Sequence, residues 1–446
     1  MTTGHDALSI LAAARDAGPA VALRAGGRSY TFAQLADMTR ARQAAVERDA
    51  RPGVPFPVVG TNTLATLVTV YALLEARIPM LMLHPRLRAP ERDALLRAAQ
   101  ERGRLAGDDA AAVLFTSGTT GQARAAVLSR SAFVASARAS EANLGWRDDD
   151  RWLACITVAH VGGLSIVTRC LAARRALVLA ERFDAAQFPE WIERDRVTLA
   201  SVVPTMLAMV LDAHPDWRAP AWLRGVLVGG AGASRRLLAR ATAHGVPVLP
   251  TYGLTETCAQ VTTVRIADVR SAPDAGAGPP LPGADVRVVD GHIEVRGDML
   301  MSGYWNEPPL ARGAWFDTGD LGEFDAHGNL HVYARRSDLI VTGGENVYPA
   351  EVEQALEALP GIAAAGVFGV PDERWGETVA AALVADGVVP DATLFAHVDA
   401  CLAPHKRPRR VCFVDRLPST PGGKLDRRAL ARLASSLRPL PAPAGD

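Results

Sequence analysis

Residues 116–121, TSGTTG, form a hydroxyl- and glycine-rich run directly after the apolar segment 112–115. Glycine lets backbone N–H groups turn toward an anion, and the hydroxyls add rotatable donors. A positive charge at Arg124 follows closely. The chemistry indicated is polyphosphate binding, with a solvated turn as the alternative for this run taken alone. The candidate ligands are Thr116, Ser117, Gly118, Thr119, Thr120, Gly121 and Arg124.

This run fits neither of two common nucleotide motifs. It has no Gly-Lys-Ser/Thr at P-loop spacing and no three-glycine dinucleotide fingerprint. Four more motifs follow in order along the chain: 252–257 (YGLTET), 318–322 (TGDLG), 335–346 (RRSDLIVTGGEN) and 421–424 (PGGK). The five motifs together resemble the adenylate-forming superfamily of acyl-CoA synthetases, luciferases and peptide-synthetase adenylation domains. The resemblance implies ATP, Mg²⁺ and coenzyme A as ligands.

The resemblance assigns the phosphate end of ATP to two of the motifs. The β- and γ-phosphates would lie in 116–121, and the Thr255 hydroxyl would meet the α-phosphate. Glu256 would hold Mg²⁺, which takes a hard carboxylate together with phosphate oxygens. Arg124 stands where relatives usually have lysine after proline. The positive charge is kept, but a guanidinium presents a wider fork of donors than an ammonium does.

The nucleoside end of ATP would be held by residues from four places in the sequence. Tyr252 would lie on adenine, with Gly253 beside it. Asp320 and Arg335 resemble the pair that grips the ribose hydroxyls, since a carboxylate can accept from both hydroxyls. The backbone of the loop 229–232 would lie against adenine; its candidate contacts are Gly230 and Ala231.

The motifs near the end of the chain imply a second half of the reaction. Lys424 would bridge the substrate carboxylate and the α-phosphate, where negative charge crowds. The turn at Gly343 and Gly344 resembles the segment that swings in when coenzyme A replaces AMP. Ser337 occupies the hinge position, which relatives often fill with Asp or Lys, and a small residue there can absorb a large backbone change.

Residues 159–169, AHVGGLSIVTR, indicate which carboxylate is activated. Among relatives they are most similar to the o-succinylbenzoate–CoA ligases of menaquinone synthesis, which often have Ser at the position of Gly162. The resemblance makes His160, Gly162 and Arg169 the substrate-binding candidates. In a helix over 162–174, Arg169 lies two turns from Gly162, where a second substrate carboxylate would pair with it. The alternative is a solvated arginine or an ion pair with Glu181.

The sequence therefore predicts an AMP-forming acid–thiol ligase. The expected reaction converts o-succinylbenzoate to its coenzyme A thioester through an acyl-AMP, with release of pyrophosphate and AMP. Alternatives are another aryl- or acyl-CoA ligase, of the benzoate or anthranilate type, and an adenylation enzyme that loads a carrier protein. A non-catalytic nucleotide-binding relative is opposed by the presence of Lys424, Glu256 and Asp320.

The elements expected to position these motifs alternate between buried strands and helices, which is typical of an α/β fold. A hairpin over 21–30 turns at Gly-Gly, and Thr31 is the predicted cap of the next helix. The predicted strands are 57–60, 80–83, 112–115, 152–158, 176–180, 198–203 and 225–228. The predicted helices are 62–76, 130–142, 162–174, 185–195, 204–213 and 234–244.

Two changes of pattern divide the chain. Short alternating strands after a Pro/Gly-rich run indicate a small β subdomain over 265–334. An α+β pattern begins after the hinge, with helices from 349 and near 392–402 and strands 363–369 and 378–385. We expect a large N-terminal adenylation domain of α/β layers, 1–335, and a small mobile α+β C-terminal domain, 336–446.

Composition limits the partners and the compartment. Of the 446 residues, 48 are basic and 48 acidic, so no global charge attracts nucleic acid or an anionic membrane. No run of 18 apolar residues or signal peptide is evident, and export or a membrane span is not expected. The five scattered cysteines contain no Cys-x-x-Cys pair and suit a reducing cytoplasm. The expected partners are small molecules, and a homodimer is possible.

Overall fold

The computed structural model describes residues 7–102, 105, 109–116, 124–269, 276–420 and 425–440. The helices within these ranges are α1 Ile10–Ala17, α2 Phe32–Asp49, α3 Leu64–Glu75, α4 Ala89–Arg102, α5 Arg130–Leu144, α6 Val161–Ala173, α7 Phe188–Arg194, α8 Pro204–Ala213, α9 Arg235–Ala243, α10 Pro349–Glu357, α11 Asp391–Cys401 and α12 Arg427–Ala431. None of these helices is long and apolar enough to cross a membrane.

The strands fall into four sheets. In chain order they are β1 Val21–Ala25, β2 Arg28–Thr31, β3 Phe56–Val59, β4 Met80–Leu83, β5 Ala110–Thr116, β6 Arg124–Ser129, β7 Arg151–Ala154, β8 Ala176–Leu179, β9 Leu199–Val202, β10 Gly225–Val228, β11 Val248–Leu254, β12 Ala259–Thr263, β13 Asp285–Val289, β14 His292–Arg296, β15 Gly303–Tyr304, β16 Phe316–Phe324, β17 Leu330–Arg335, β18 Ile340–Thr342, β19 Glu345–Val347, β20 Ile362–Asp372, β21 Gly376–Ala385, β22 Arg410–Phe413 and β23 Arg438–Pro439.

The part of the chain before residue 264 forms two sheets with their helices, and β15 from later in the chain joins the second sheet. The larger sheet has the order β12-β11-β10-β9-β7-β8-β1-β2, with six parallel inner strands between antiparallel edges. The second sheet has the order β15-β6-β5-β4-β3. One apolar cluster, which includes the buried side chains of Trp152, Phe32 and Phe133, joins the two sheets. The predicted buried strands and α/β layering are thus present.

The beginning of the chain shows how local sequence fixes these elements. Gly26 and Gly27 turn the β1–β2 hairpin with φ of 55° and 74°, which glycine adopts without a side-chain clash. The Thr31 hydroxyl accepts from the Gln34 N–H at 3.2 Å, and the Gln34 side chain accepts from the Thr31 N–H at 2.9 Å. This reciprocal capping box starts α2 directly after β2, as the sequence predicted for Thr31.

A four-stranded antiparallel sheet, β13-β14-β16-β17, lies within the predicted β subdomain. One strand between these elements joins a different sheet, because β15 pairs with β6 through Gly303↔Val127 and Tyr304↔Ala126. The segment 265–334 therefore forms its own four-stranded sheet and also adds one strand to the second α/β sheet.

The chain from Ile340 onward has its own sheet and its own core. β18, β19, β20, β21, β22 and β23 make one sheet, flanked by α10, α11 and α12. Two apolar clusters of this region contain only residues numbered 340 or higher. A 3₁₀ turn, Arg336–Asp338, separates this region from β17.

Candidate active site

Loops from the same edge of the large parallel sheet carry several of the predicted residues. The loops that follow β7, β10 and β11 leave the carboxyl ends of parallel strands, where α/β proteins bind ligands. His160 follows β7, Gly230 and Ala231 follow β10, and Tyr252 lies in the last part of β11. The fold thus gathers residues that are almost a hundred positions apart in sequence.

Thr116 and Arg124 are paired in the β5–β6 hairpin, and the predicted phosphate loop lies between them. The Arg124 guanidinium packs over the Tyr304 ring, 3.4 Å from its centroid, and its Nε donates to Glu307 Oε1 at 3.0 Å. The Tyr304 hydroxyl donates to Glu256 Oε1 at 2.7 Å. The predicted phosphate-binding arginine and the predicted Mg²⁺-binding glutamate are therefore linked through one tyrosine.

Electrostatics in this cluster follow from that geometry. The hydrogen bonds that Arg124 donates to Glu307, with smaller contributions from the charges of Tyr304 and Glu256, raise the pKa of Arg124. Burial, reinforced by the Glu256 carboxylate, raises the pKa of Tyr304. Tyr304 is therefore a neutral donor and Arg124 a full positive charge in the physiological pH range.

A second cluster joins Tyr252, Asp320 and Arg335. The Tyr252 hydroxyl donates to Asp320 Oδ2 at 2.8 Å, and Arg335 Nε lies 3.0 Å from Asp320 Oδ1. Asp320 and Arg335 face each other in the β16–β17 register. Burial, then the nearby Asp320 charge, raises the pKa of Tyr252 well above its usual value. Three of the residues predicted to hold adenosine are thus linked through the Asp320 carboxylate.

The turn that carries Thr255 and Glu256 is constrained by close backbone packing. A Cβ on Gly253 would lie 1.7 Å from the Ala259 carbonyl oxygen, so only glycine fits there. Cys258 and Ala259 have φ values of 51° and 85°, a region that L-residues rarely adopt. Strained backbone of this kind clusters at functional sites, where surrounding structure maintains it.

The loop after β10 lies directly against β11. A Cβ on Gly229 would meet Thr251 Cγ2 at 2.7 Å, and Gly230 has a φ of 80°. Both observations explain why glycine stands at these positions beside the strand that carries Tyr252.

Asn62 anchors the loop that carries His160. Its side-chain amide donates to the carbonyls of Ile156 and Ala180, each at 3.1 Å, and its Oδ1 accepts from the Val158 N–H at 3.0 Å. The His160 ring lies 5.1 Å from the His84 ring, which follows β4. Burial, with a smaller contribution from Arg86, lowers the pKa of His84. His84 thus places a second imidazole beside the His160 ring.

The two glycines at the start of α6 differ in the space around them. A Cβ on Gly163 would lie 2.3 Å from the Thr157 carbonyl oxygen, whereas one on Gly162 would approach only Ile156 Cδ1, at 4.0 Å. Gly163 is thus required for close packing of the helix. Gly162 has room for the serine that relatives often have.

Arg169 is buried, with 3% of its surface exposed. Its guanidinium donates to Gln260 Oε1 and, at 3.0 Å, to Ser136 Oγ, while its buried Nε has no hydrogen-bond partner among the described residues. Burial lowers the pKa of Arg169 to about 10. The alternative of a solvated arginine or a Glu181 ion pair is wrong. Because Gln260 faces Gly253 in the β11–β12 register, Arg169 lies beside the strand that carries Tyr252.

Ser337 lies between two residues that are anchored to different parts of the molecule. Arg336 Nη2 is 2.5 Å from Asp317 in the four-stranded sheet and 2.8 Å from His292 Nδ1. Asp338 is 3.2 Å from Arg427, which also binds Glu353 in α10. The predicted hinge position is therefore the junction between these two sets of ion pairs.

Gly343 and Gly344 form the exposed turn between β18 and β19, with φ values of 59° and 84°. The Gly343 N–H donates to the Trp375 carbonyl at 2.8 Å, and a Cβ on Gly343 would lie 2.8 Å from the Trp375 ring. Local packing thus requires glycine at 343. Ser117, Gly118, Thr119, Thr120, Gly121 and Lys424 lie outside the described residues.

A magnesium site here would consist of Glu256 and substrate oxygens. No cluster of three or more His, Cys, Asp or Glu side chains suited to a metal occurs in the described part of the chain. Mg²⁺ characteristically binds through one or two carboxylates plus phosphate oxygens, so the Glu256 carboxylate fits that ion. Tyr304, Glu307, Asn62 and Gln260 could not be found from sequence motifs, because each contacts a partner far away in the chain.

Comparison with known proteins defines the family. A model of the AMP-binding enzyme family matches residues 97–305, and a model of the AMP-binding enzyme C-terminal domain matches residues 351–424. The 2-succinylbenzoate–CoA ligase of Bacillus cereus is 38% identical over 344 residues, which cover 74% of this chain and 71% of that protein. The chain belongs to the AMP-binding enzymes, which confirms the predicted adenylate-forming superfamily.

Solved structures of the family have the same fold. The o-succinylbenzoate CoA synthetase of Bacillus subtilis, in complex with the acyl-adenylate OSB-AMP, superimposes with a TM-score of 0.83 at 29% identity, covering 94% of this chain and 97% of that one. ATP-bound MatB from Rhodopseudomonas palustris has a TM-score of 0.85 at 26% identity, covering 95% and 98%. The Bacillus subtilis enzyme is also known in complex with ATP and a magnesium ion. The predicted fold class is confirmed.

Proposed function

We propose that this enzyme ligates o-succinylbenzoate to coenzyme A in two steps. A carboxylate oxygen of the acid attacks the α-phosphorus of ATP and pyrophosphate leaves, giving acyl-AMP. The coenzyme A thiolate then attacks the acyl carbon and AMP leaves. The observation that carries this substrate is Arg169, a buried charge whose hydrogen-bond partners among the described residues, Gln260 and Ser136, are both neutral. The named activity of the Bacillus relatives supports the same acid.

Arg169 is the proposed partner of the second carboxylate of the substrate. A buried cation is costly when no anion offsets it, and a carboxylate would accept hydrogen bonds from its fork. o-Succinylbenzoate has a carboxylate to spare after activation of the other, whereas benzoate and anthranilate do not. His160 and Gly162, at the start of the same helix, are the proposed lining of the acyl pocket.

The nucleotide is proposed to lie across the two clusters of the site. Asp320 and Arg335 would hold the ribose, with Tyr252, Gly253, Gly230 and Ala231 against adenine. Thr116, Arg124 and the loop 117–121 would hold the β- and γ-phosphates, and Thr255 the α-phosphate. Bound to Glu256 and the phosphates, Mg²⁺ would neutralise charge on the departing pyrophosphate.

The part of the chain after the hinge is proposed to supply different groups to the two steps. Lys424 would lie between the acid and the α-phosphate in the first step, and Gly343–Gly344 would approach in the second, by rotation about Ser337. The boundaries 1–335 and 336–446 belong to this proposal, supported by the separate core that begins at Ile340. The cytoplasmic location and the homodimer also stay predictions.

Pyrophosphate release measured over a panel of acids tests the function. With ATP, Mg²⁺ and coenzyme A present, we expect o-succinylbenzoate to give the highest kcat/KM and a thioester product of the matching mass. Preference for benzoate or anthranilate would identify another aryl-CoA ligase. Release of pyrophosphate without thioester, together with acylation of a carrier protein, would identify a loading enzyme.

A further inference from the structure

Arg124 is bound on both sides by side chains from one short segment. Its Nε and Nη2 both donate to the Glu307 carboxylate, and the plane of its guanidinium packs on the Tyr304 ring. Glu307 follows β15 by three residues. The same segment therefore supplies the surface on which the arginine rests and the anion that fills its fork.

The Glu307 carboxylate holds Arg124 in the way a phosphate would. Two parallel N–H donors of a guanidinium bind two oxygens of either a carboxylate or a phosphate with similar geometry. An arginine engaged at both donors by Glu307 cannot offer the same fork to the triphosphate. A triphosphate that approaches Arg124 from the Glu307 side would compete with Glu307 for the Nε and Nη2 donors.

We propose that Glu307 is a positioning residue that occupies the Arg124 fork until the triphosphate of ATP displaces it, while Tyr304 holds the arginine in place throughout. This inference rests on the proposed ATP site. It assigns separate roles to the two partners of Arg124, one exchangeable and one permanent.

Exposure and bonding explain why the two partners differ. The side chains of Arg124 and Glu307 are 46% and 43% exposed, and ion pairs at such exposure are weak because water screens them. Tyr304 is fixed by pairing with Ala126 in β6 and by its hydrogen bond to Glu256. The carboxylate can leave at low cost, whereas moving the ring would disturb β15 and Glu256 together.

This arrangement also accounts for arginine in place of the usual lysine at position 124. A planar guanidinium can stack on the Tyr304 ring and present its fork at the same time, but the point charge of an ammonium cannot. The stacked arginine keeps its orientation when the anion in its fork is exchanged.

Direct titration of the purified enzyme with Mg-ATP, without any acid, tests the exchange. We expect Glu307→Gln to lower the Kd for Mg-ATP about 1.4- to fivefold, the range for removal of an exposed ion pair. The gain should shrink as salt is raised. In an Arg124→Met background the same substitution should change the Kd by less than about 1.4-fold, the lower limit of that range.

A matched control lies in the four-stranded sheet. Arg287 donates to Glu294, with Nε 2.7 Å from Oε2, and its guanidinium packs 4.1 Å from the Trp315 ring centroid. Like Arg124, it therefore binds a glutamate and packs on an aromatic ring. Glu294→Gln should leave the Kd unchanged. An unchanged or raised Kd in Glu307→Gln would overturn the proposal, because Glu307 would then support Arg124 in the bound state. The titration contains no carboxylic acid substrate. If no acid in the panel released pyrophosphate, the proposed function would be wrong, but the effect of Glu307→Gln on the Kd for Mg-ATP would be unchanged.

Discussion

The parts of the molecule before and after Ser337 hold their predicted functional residues in different ways. Before it, Asp320 and Arg169 are buried and are bonded by partners from other elements of the fold. After it, Gly343 and Gly344 form an exposed turn between two short strands. The first region presents fixed groups, and the second presents a backbone turn at its surface.

This contrast indicates a division of labour in the proposed reaction. Groups held rigidly can select a substrate, because each displacement costs contacts on several sides. A region with its own core can change its position as a unit and deliver different groups in turn. Substitutions before the hinge should therefore alter which substrates are used, and substitutions after it should separate the two half-reactions.

The largest expected effect tests the second region. Lys424→Ala should lower the rate of acyl-adenylate formation about 10²- to 10³-fold, the scale for losing a charge aimed at the developing transition state. Attack of coenzyme A on supplied acyl-adenylate should be nearly unchanged. Single-turnover measurements of each step check this prediction. Equal losses in both steps would show that Lys424 does not act selectively in the first step.

The next effect tests selection by the first region. Arg169→Met should lose about 2 to 4 kcal/mol in kcat/KM for o-succinylbenzoate, the cost of leaving a substrate carboxylate unpaired, while benzoate is used no worse. Thermal unfolding should show at most a small loss of stability, because removal of a buried charge that lacks a carboxylate offsets the loss of the donor to Gln260 Oε1. Equal losses for both acids would make Arg169 structural.

A smaller effect concerns the junction itself. Ser337→Pro should slow thioester formation about tenfold and adenylation much less, since proline fixes φ where two arrangements need different values. Ser337→Ala is the matched control and should behave as wild type. Normal overall turnover of the proline variant would show that no rotation occurs at this residue.

The smallest effect concerns the contact between the two regions. Glu357, in α10, accepts from the Ala365 N–H at 3.2 Å, with Ser234 at the start of α9, Arg236 and Glu353 nearby. Burial is the main cause that raises the pKa of Glu357 to about 6.

The folded state therefore binds a proton at Glu357 more tightly than the unfolded state does. The contribution of Glu357 to folding stability is fully present below about pH 4.3 and is lost as pH rises through 6. Glu357→Gln keeps the acceptor without the charge. Above pH 6 it should raise the free energy of unfolding by at most about 2 kcal/mol, and at pH 4 by nothing. Unfolding curves from pH 4 to 8 check this, with the exposed Glu373→Gln as control. If Glu357→Gln raised the free energy of unfolding equally at every pH, titration of Glu357 would be excluded as the cause.

Local sequence predicted the elements well where neighbouring residues determine them. The strand Gly225–Val228 and the helix Pro204–Ala213 have the predicted limits. The predicted strand over 152–158 ends instead at Ala154, because the Asn62 side chain binds the backbone of residues 156 and 158. Asn62 is more than ninety residues away, so no local pattern could reveal this ending.

The same reason limits prediction of the site. Motif order singled out Tyr252, Asp320 and Arg335, which the fold brings into contact. The partners of Arg169 are separated from it by 33 and 91 residues, and neither has a distinctive motif. Their contribution depends on how α5, α6 and β12 pack, which residue spacing alone does not determine.

The strand β15 has a consequence for how the protein can be divided. Because Gly303 and Tyr304 complete the sheet beside β6, a protein cut before residue 303 would leave β6 as an open edge. Unpaired N–H and C=O groups along an apolar edge strand recruit other chains. We therefore expect a fragment ending near residue 300 to aggregate, although it contains every other strand of the two α/β sheets. The border suited to separate expression is the 3₁₀ turn Arg336–Asp338.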